Sequence, residues 1–149
     1  MLLVLAGRPG VGKTAVRQQV AEQLDLPHYG PDDHADGWEW VHAQLDQHPD
    51  AIVECCRVPR KLQARIDQTP ALIVELTLPD KQRRQRLRAR GVHGPQLAKL
   101  MKDVAPCGYG GVDIADVKID ARPSVEDVAR AVCDASQQTG GTLGRTRLG

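Results

Sequence analysis

Three stretches of the chain, residues 2–6, 51–55 and 71–78, are apolar almost without interruption. Continuous rather than alternating apolarity is what a strand needs when both of its faces are covered. Between these stretches the spacing changes to that of helices. Val16, Val20, Ala21 and Leu24 fall on one face of a helix over residues 13–24, which Pro27 closes. Residues 28–30 read as a short second strand. Asp36-Gly37 starts a helix with Trp38, Val41 and Leu45 on one side, and His48-Pro49-Asp50 is a turn. A short helix is expected over 59–66, before the turn Gln68-Thr69-Pro70. Pro79-Asp80 opens a further helix that stops at Gly91, and another helix is predicted over 96–104. Residues 117–119 form a fifth strand. Ser124 then caps a last helix, with Asp127 in the reciprocal position and Val125, Val128, Ala129 and Val132 on one face. From Gln137 onward the periodicity ends, and residues 137–149 read as a flexible tail. Alternating strands and helices predict an α/β fold: three α/β/α layers around a five-stranded parallel sheet.

Composition narrows the picture modestly. The 149 residues suit one domain, and with two Trp, two Tyr and no Phe the core must be built from Leu, Val, Ile and Ala. A formal net charge of +1 gives no long-range field toward nucleic acid or membrane. The four cysteines, Cys55, Cys56, Cys107 and Cys133, lack zinc-ligand spacing, and adjacent Cys55-Cys56 read as small buried residues. No apolar run is as long as a membrane span, and Met1 leads into a strand rather than a basic leader. A cytoplasmic location is the expectation.

The candidate chemistry sits after the first strand, in Gly7-Arg8-Pro9-Gly10-Val11-Gly12-Lys13-Thr14. This is the phosphate-binding P-loop pattern, in the strand-before, helix-after context that the motif requires. Gly7, Gly10 and Gly12 let the backbone curl so that N–H groups face phosphate oxygens, and Pro9, Val11 and Ala15 complete the cradle. Lys13 supplies a point charge for the β- and γ-phosphates, and the Thr14 hydroxyl is a candidate Mg²⁺ ligand. In a parallel sheet the ligand lies beyond the carboxyl ends of the strands. That rule adds Asp32, Asp33, Glu54, Arg57 and residues 120–123 to the candidates.

With the P-loop in place, two further stretches resemble the small P-loop kinases, a group that includes nucleoside monophosphate, shikimate and gluconate kinases. One is Ile-Val-Glu-Leu-Thr-Leu-Pro-Asp followed by Arg86-Leu-Arg-Ala-Arg90-Gly, similar to the strand and arginine helix that precede the mobile lid in that group. The other is Val-Lys-Ile-Asp-Ala-Arg-Pro-Ser near the end, similar to the last strand and the loop against the adenine. The resemblance implies a kinase domain over residues 1–136 with a lid-like insertion at 91–112. It also implies use of ATP and Mg²⁺, with Arg122 and Pro123 bordering the base. An acid after the second strand, Asp33 or Asp32, would contact the acceptor hydroxyl, and Glu54 would lie near the metal. Lys13, Arg86 and Arg90 would hold the transferring phosphoryl group, and Asp33 would orient the acceptor.

Around the acceptor the resemblance thins. The segment Glu54-Cys55-Cys56-Arg57-Val58-Pro59-Arg60 is one residue longer than the corresponding Asp-Gly-x-Pro-Arg of nucleoside monophosphate kinases and lacks its glycine. Arg57 and Arg60 remain candidates to hold an acidic acceptor, and Trp40 to stack on a ring. The expected partner is a small-molecule phosphoryl acceptor: a hydroxyl of a nucleoside-like or natural-product compound, or a nucleoside monophosphate. A nucleic acid or a membrane is not expected, and the chain is expected to be a monomer or homodimer. The competing class is a nucleotide-dependent switch ATPase without an acceptor. The arginine-rich helix favours phosphoryl transfer.

Overall fold

The structure, a computed structural model, describes residues 1–102, 108, 109 and 112–139. In chain order the elements are β1 (Leu2–Gly7), α1 (Lys13–Leu24), β2 (His28–Tyr29), a 3-10 turn (Pro31–Asp33), α2 (Trp38–Gln47), β3 (Ala51–Cys55), α3 (Arg60–Gln68) and β4 (Ala71–Thr77). They continue as α4 (Asp80–Ala89), α5 (Gly94–Met101), β5 (Gly108–Tyr109), β6 (Val112–Asp113), β7 (Val117–Asp120) and α6 (Val125–Thr139). Five strands form one parallel sheet in the order β2-β3-β1-β4-β7. Val4 at its centre lies beside Val53 on one side and Ile73 on the other.

The apolar runs explain the layers. Along β1, Leu3 and Leu5 face the layer of α1 and α6, meeting Val16, Val20, Val128 and Val132. Leu2, Val4 and Ala6 face the other way, toward Val41 and Leu45 of α2 and Leu62 and Ile66 of α3. Both faces of β1 are thus covered, and every residue of the strand is buried. Each large aliphatic side chain so buried stabilises the fold by about 1.5–3 kcal/mol. The Ser124 hydroxyl accepts the Asp127 N–H at 3.2 Å, which caps the first turn of α6.

Some boundaries differ from those expected. Helix α5 spans Gly94–Met101, because Gly94-Pro95 opens it earlier than residue 96. Its predicted end at residue 104 lies outside the described residues. Helix α6 continues to Thr139, three residues into the expected tail; Ser136 is buried there and holds that turn against the body. The remainder of that tail, 140–149, lies outside the described residues. A small antiparallel pair, β5 with β6, was not foreseen.

The strand order positions the site. The chain leaves β1 toward β2 on one side of the sheet and leaves β3 toward β4 on the other. The carboxyl ends of β1 and β3 therefore flank a topological switch point, where such sheets open a crevice. The phosphate loop follows β1, and Glu54 to Cys56 close β3 beside it.

Candidate active site

The phosphate loop is built as its glycines require. Gly10 and Gly12 have φ of 89° and 93°, a left-handed conformation that side chains other than glycine's rarely adopt. Gly12 immediately precedes α1, so the first N–H groups of that helix open onto the cleft without intrahelical acceptors. Lys13 is buried, and its ammonium donates to the carbonyls of Gly7 at 2.7 Å and Arg8 at 3.3 Å. It also lies 3.3 Å from the Cys56 sulfur. The Thr14 hydroxyl donates to Glu54 at the end of β3, 3.0 Å from Oε1 and 3.2 Å from Oε2.

Two arginines of α4 brace the loop from behind. Arg86 donates to the Val11 carbonyl at 3.0 Å and to the Ala121 carbonyl at 2.9 Å, joining the phosphate loop to the turn before α6. Arg83 is 1% exposed and directs its donors to the carbonyls of Pro9 and Leu100 and to Asp80. It is a structural cation, and the helical run of arginines concealed it.

Opposite the loop stands the turn that follows β2. Asp33 is tied down: Arg17 holds both of its oxygens, at 3.1 and 3.2 Å, and the Gly30 N–H donates to it at 2.8 Å. Arg17 also reaches Glu54 Oε1 at 3.0 Å. Asp32 is exposed, and its carboxylate has no hydrogen-bond partner among the described residues. It lines a cleft of about 140 Å³ together with Lys13, Thr14, Glu54 and Cys56. Burial, and after it the Arg17 charge, push the neighbouring His28 imidazole below its ordinary pKa. A hydroxyl and a carboxylate converging at the phosphate loop are hard oxygen donors. Thr14 and Glu54 therefore fit Mg²⁺, which binds through such oxygens and keeps several waters.

No protein-family model matches the chain, and no curated protein matches its sequence. Solved structures do match. A gluconokinase from Sinorhizobium meliloti 1021 superposes with a TM-score of 0.71 at 18% identity, over 95% of this chain and 94% of that one. The chain has the fold of the small P-loop kinases. A sugar kinase from Janibacter sp. HTCC2649 aligns with a TM-score of 0.64 at 16% identity, over 97% of this chain and 98% of the other. Shikimate kinase from Aquifex aeolicus vf5 gives a TM-score of 0.60 at 15% identity, over 97% of this chain and all of its own (100%). The P-loop kinase fold thus accounts for nearly the whole chain.

Within that fold, the candidates separate into two sets. Lys13, Thr14, Glu54 and Asp32 border one cleft, and Arg86 adjoins the loop that forms its wall. Arg90 is exposed at the end of α4 and its side chain makes no hydrogen bond or ion pair among the described residues; the same holds for Arg57 and Arg60 beyond β3. Arg122 folds back on Asp120, and this pairing holds the Asp120 carboxyl below its usual range. Pro123 is exposed beside it.

Trp40 is partly buried, stacked on His34 with ring centres 5.4 Å apart and edge-on to Tyr29 at 5.5 Å. One of its faces is therefore already covered by an imidazole. Cys56, expected to be buried, is exposed in the cleft, because the strand ends at Cys55 and the alternation of faces ends with it. Arg17 was missed altogether. The one available signal was a cationic side chain one helical turn after Lys13, on the same face.

Proposed function

We propose that the protein is a phosphotransferase that moves the γ-phosphoryl group of ATP to a hydroxyl of a small molecule. The observation that carries this reading is the position of Asp32: a carboxylate without a partner among the described residues, in the same cleft as Lys13 and Thr14. A carboxylate there can align an acceptor hydroxyl and take its proton as the new P–O bond forms and the bond to the β-phosphate oxygen breaks. Asp33, the first choice from the sequence, is a poorer base. Both of its oxygens already accept hydrogen bonds from Arg17, and one also from the Gly30 N–H, so they are committed before an acceptor hydroxyl arrives.

Lys13 leaves the Gly7 and Arg8 carbonyls to meet the β- and γ-phosphates, while the N–H groups at the start of α1 cradle the anion. Thr14 and Glu54 would hold Mg²⁺, which when bound offsets the charge of the phosphates. Arg86 fixes the loop at Val11 and reaches the Ala121 carbonyl on the side where the resemblance puts the adenine. Structural neighbours named as a gluconokinase, a sugar kinase and shikimate kinases support a small hydroxylated acceptor.

The test is ADP release from ATP and Mg²⁺ against a panel of sugar acids, polyols, nucleosides and nucleoside monophosphates. One acceptor class should raise the rate well above that with ATP alone. Asp32→Asn should lower that rate by ~10²–10⁴-fold while sparing nucleotide affinity. An acceptor-dependent rate unchanged in Asp32→Asn would return the role to Asp33. A slow ATP hydrolysis that no acceptor raises would favour the switch reading.

A further inference from the structure

Arg17 lies four residues beyond Lys13 on α1 and is only 3% exposed. A buried guanidinium is costly unless it is paired with good geometry. Here one nitrogen, Nη1, sits 3.1 Å from Asp33 Oδ2 and 3.0 Å from Glu54 Oε1, while Nη2 lies 3.2 Å from Asp33 Oδ1. Its Nε–H is buried with no acceptor among the described residues, so the two carboxylates aim the head group. Room for it comes from Gly30. A Cβ at that position would stand 2.4 Å from Nη1 and 3.0 Å from Glu54 Cγ.

The two anions that Arg17 joins belong to opposite sides of the cleft. Glu54 accepts the Thr14 hydroxyl on the phosphate side. Asp33 accepts the Gly30 N–H and so closes the 3-10 turn that presents Asp32. Such a cluster adds little net stability over well-packed apolar groups, but it fixes geometry. We propose that Arg17 is a positioning residue that clamps the Asp32 turn at a set distance from Thr14 and Glu54, with Asp33 as the clamp's other jaw. Its planar fork matters, because three contacts to two carboxylates need two nitrogens held rigidly apart. A lysine ammonium, a single point charge, cannot reproduce them. A 1 Å misplacement of reacting groups is enough to cost a factor of about 10² in rate.

This inference rests on the kinase reading for its rate prediction but not for its geometry, and the test separates the two. Trp40 reports the turn directly, because it stacks on His34, the residue after Asp33. With Trp38→Phe as background, Trp40 is the only indole left in the sequence. Its near-ultraviolet circular dichroism then records whether the stack is fixed. Arg17→Lys and Asp33→Asn, each keeping size and polarity close to the original, should lower that signal by at least half. Affinity for a non-hydrolysable ATP analogue with Mg²⁺ should change by less than about threefold.

Where an acceptor is found, kcat should fall by about 10–100-fold in either variant, and the double variant should be no worse than either single one. Unchanged dichroism and unchanged rate in both variants would overturn the clamp. So would a fall in dichroism matched by equal losses of analogue affinity and melting temperature, which would make Arg17 a general scaffold residue. If no acceptor is ever found, the dichroism and analogue-binding arms still decide the clamp, and only the kinase reading fails.

Discussion

The Thr14 hydroxyl donates to both carboxylate oxygens of Glu54, at 3.0 and 3.2 Å, although the two residues are 40 positions apart in the chain. The contact joins the start of α1 to the end of β3 and places two oxygen donors beside the phosphate loop. If they hold Mg²⁺, Glu54→Gln should leave metal-free nucleotide binding nearly unchanged. The gain in affinity for an ATP analogue on adding Mg²⁺ should shrink about tenfold or more, as when an outer metal partner is removed. Calorimetric titration with and without the metal measures both numbers. An undiminished Mg²⁺ gain would remove Glu54 from the metal site.

Arg86 carries a separate expectation. Its two charge-assisted hydrogen bonds, to the carbonyls of Val11 and Ala121, tie α4 to both the phosphate loop and the turn before α6. Arg86→Ala should destabilise the fold by about 1.5–3 kcal/mol, since hydrogen bonds to charged groups fall in that range and the carbonyls regain water only partly. Nucleotide affinity should fall as well, because the phosphate loop loses its tether. Denaturant unfolding checks the first and analogue binding the second. If stability falls while affinity holds, Arg86 is a scaffold residue only.

The difference between Arg86 and Arg90 illustrates what was legible in the chain. Apolar runs and helical spacing are local, so residues 2–6, 13–24, 51–55 and 71–78 foreshadow β1, α1, β3 and β4 to within a residue. The phosphate loop is equally local, a run of eight residues whose backbone conformation its glycines select. The destinations of the arginines are not local. Arg83 is buried, Arg86 half-buried and Arg90 exposed, although they share one face of an ideal helix. What separates them is how far along α4 the phosphate loop and α5 reach, a tertiary matter. Arg17 was illegible for the same reason: its partners come from the turn after β2 and from the end of β3. Beyond its own place one helical turn after Lys13, Arg17 is foreshadowed by Gly30, small where a side chain would strike the guanidinium. The β5–β6 pair escaped because two-residue strands carry no periodicity to read.

Acid sensitivity should come in part from His42. The ring is buried on α2, and both of its nitrogens lack partners among the described residues. Burial, and after it the charges of Lys61 and Arg65, lower its pKa below 6.5, with Asp46 opposing weakly. The folded state therefore resists a proton that the unfolded chain accepts. Stability from this group is complete above the unfolded pKa of about 6.5 and is lost as pH falls from there through the folded value. His28 is lowered in the same direction and adds to the slope. The melting temperature of the parent should fall between pH 7 and 5, and His42→Leu should flatten that fall without abolishing it. An identical profile in the variant would mean that His42 takes up its proton equally in the folded and unfolded states across this range.

Gly30 offers the sharpest steric test of the buried charge cluster. Its backbone is extended, with φ of −141° and ψ of 155°, so alanine is not disfavoured by conformation. The obstacle is the Arg17 nitrogen 2.4 Å from the added methyl carbon, with Glu54 Cγ at 3.0 Å on the other side. Arg17 cannot swing away cheaply, because it is itself buried and the same nitrogen is ion-paired with both carboxylates. Gly30→Ala should therefore destabilise the protein by about 1–3 kcal/mol, the usual cost of overpacking. Shortening the arginine removes the clash, so the double variant Gly30→Ala, Arg17→Ala should be more stable than the sum of the two single losses predicts. Urea unfolding of the four proteins gives that coupling energy. Strict additivity would mean that the methyl group finds room without moving Arg17, and that Gly30 is small for some other reason.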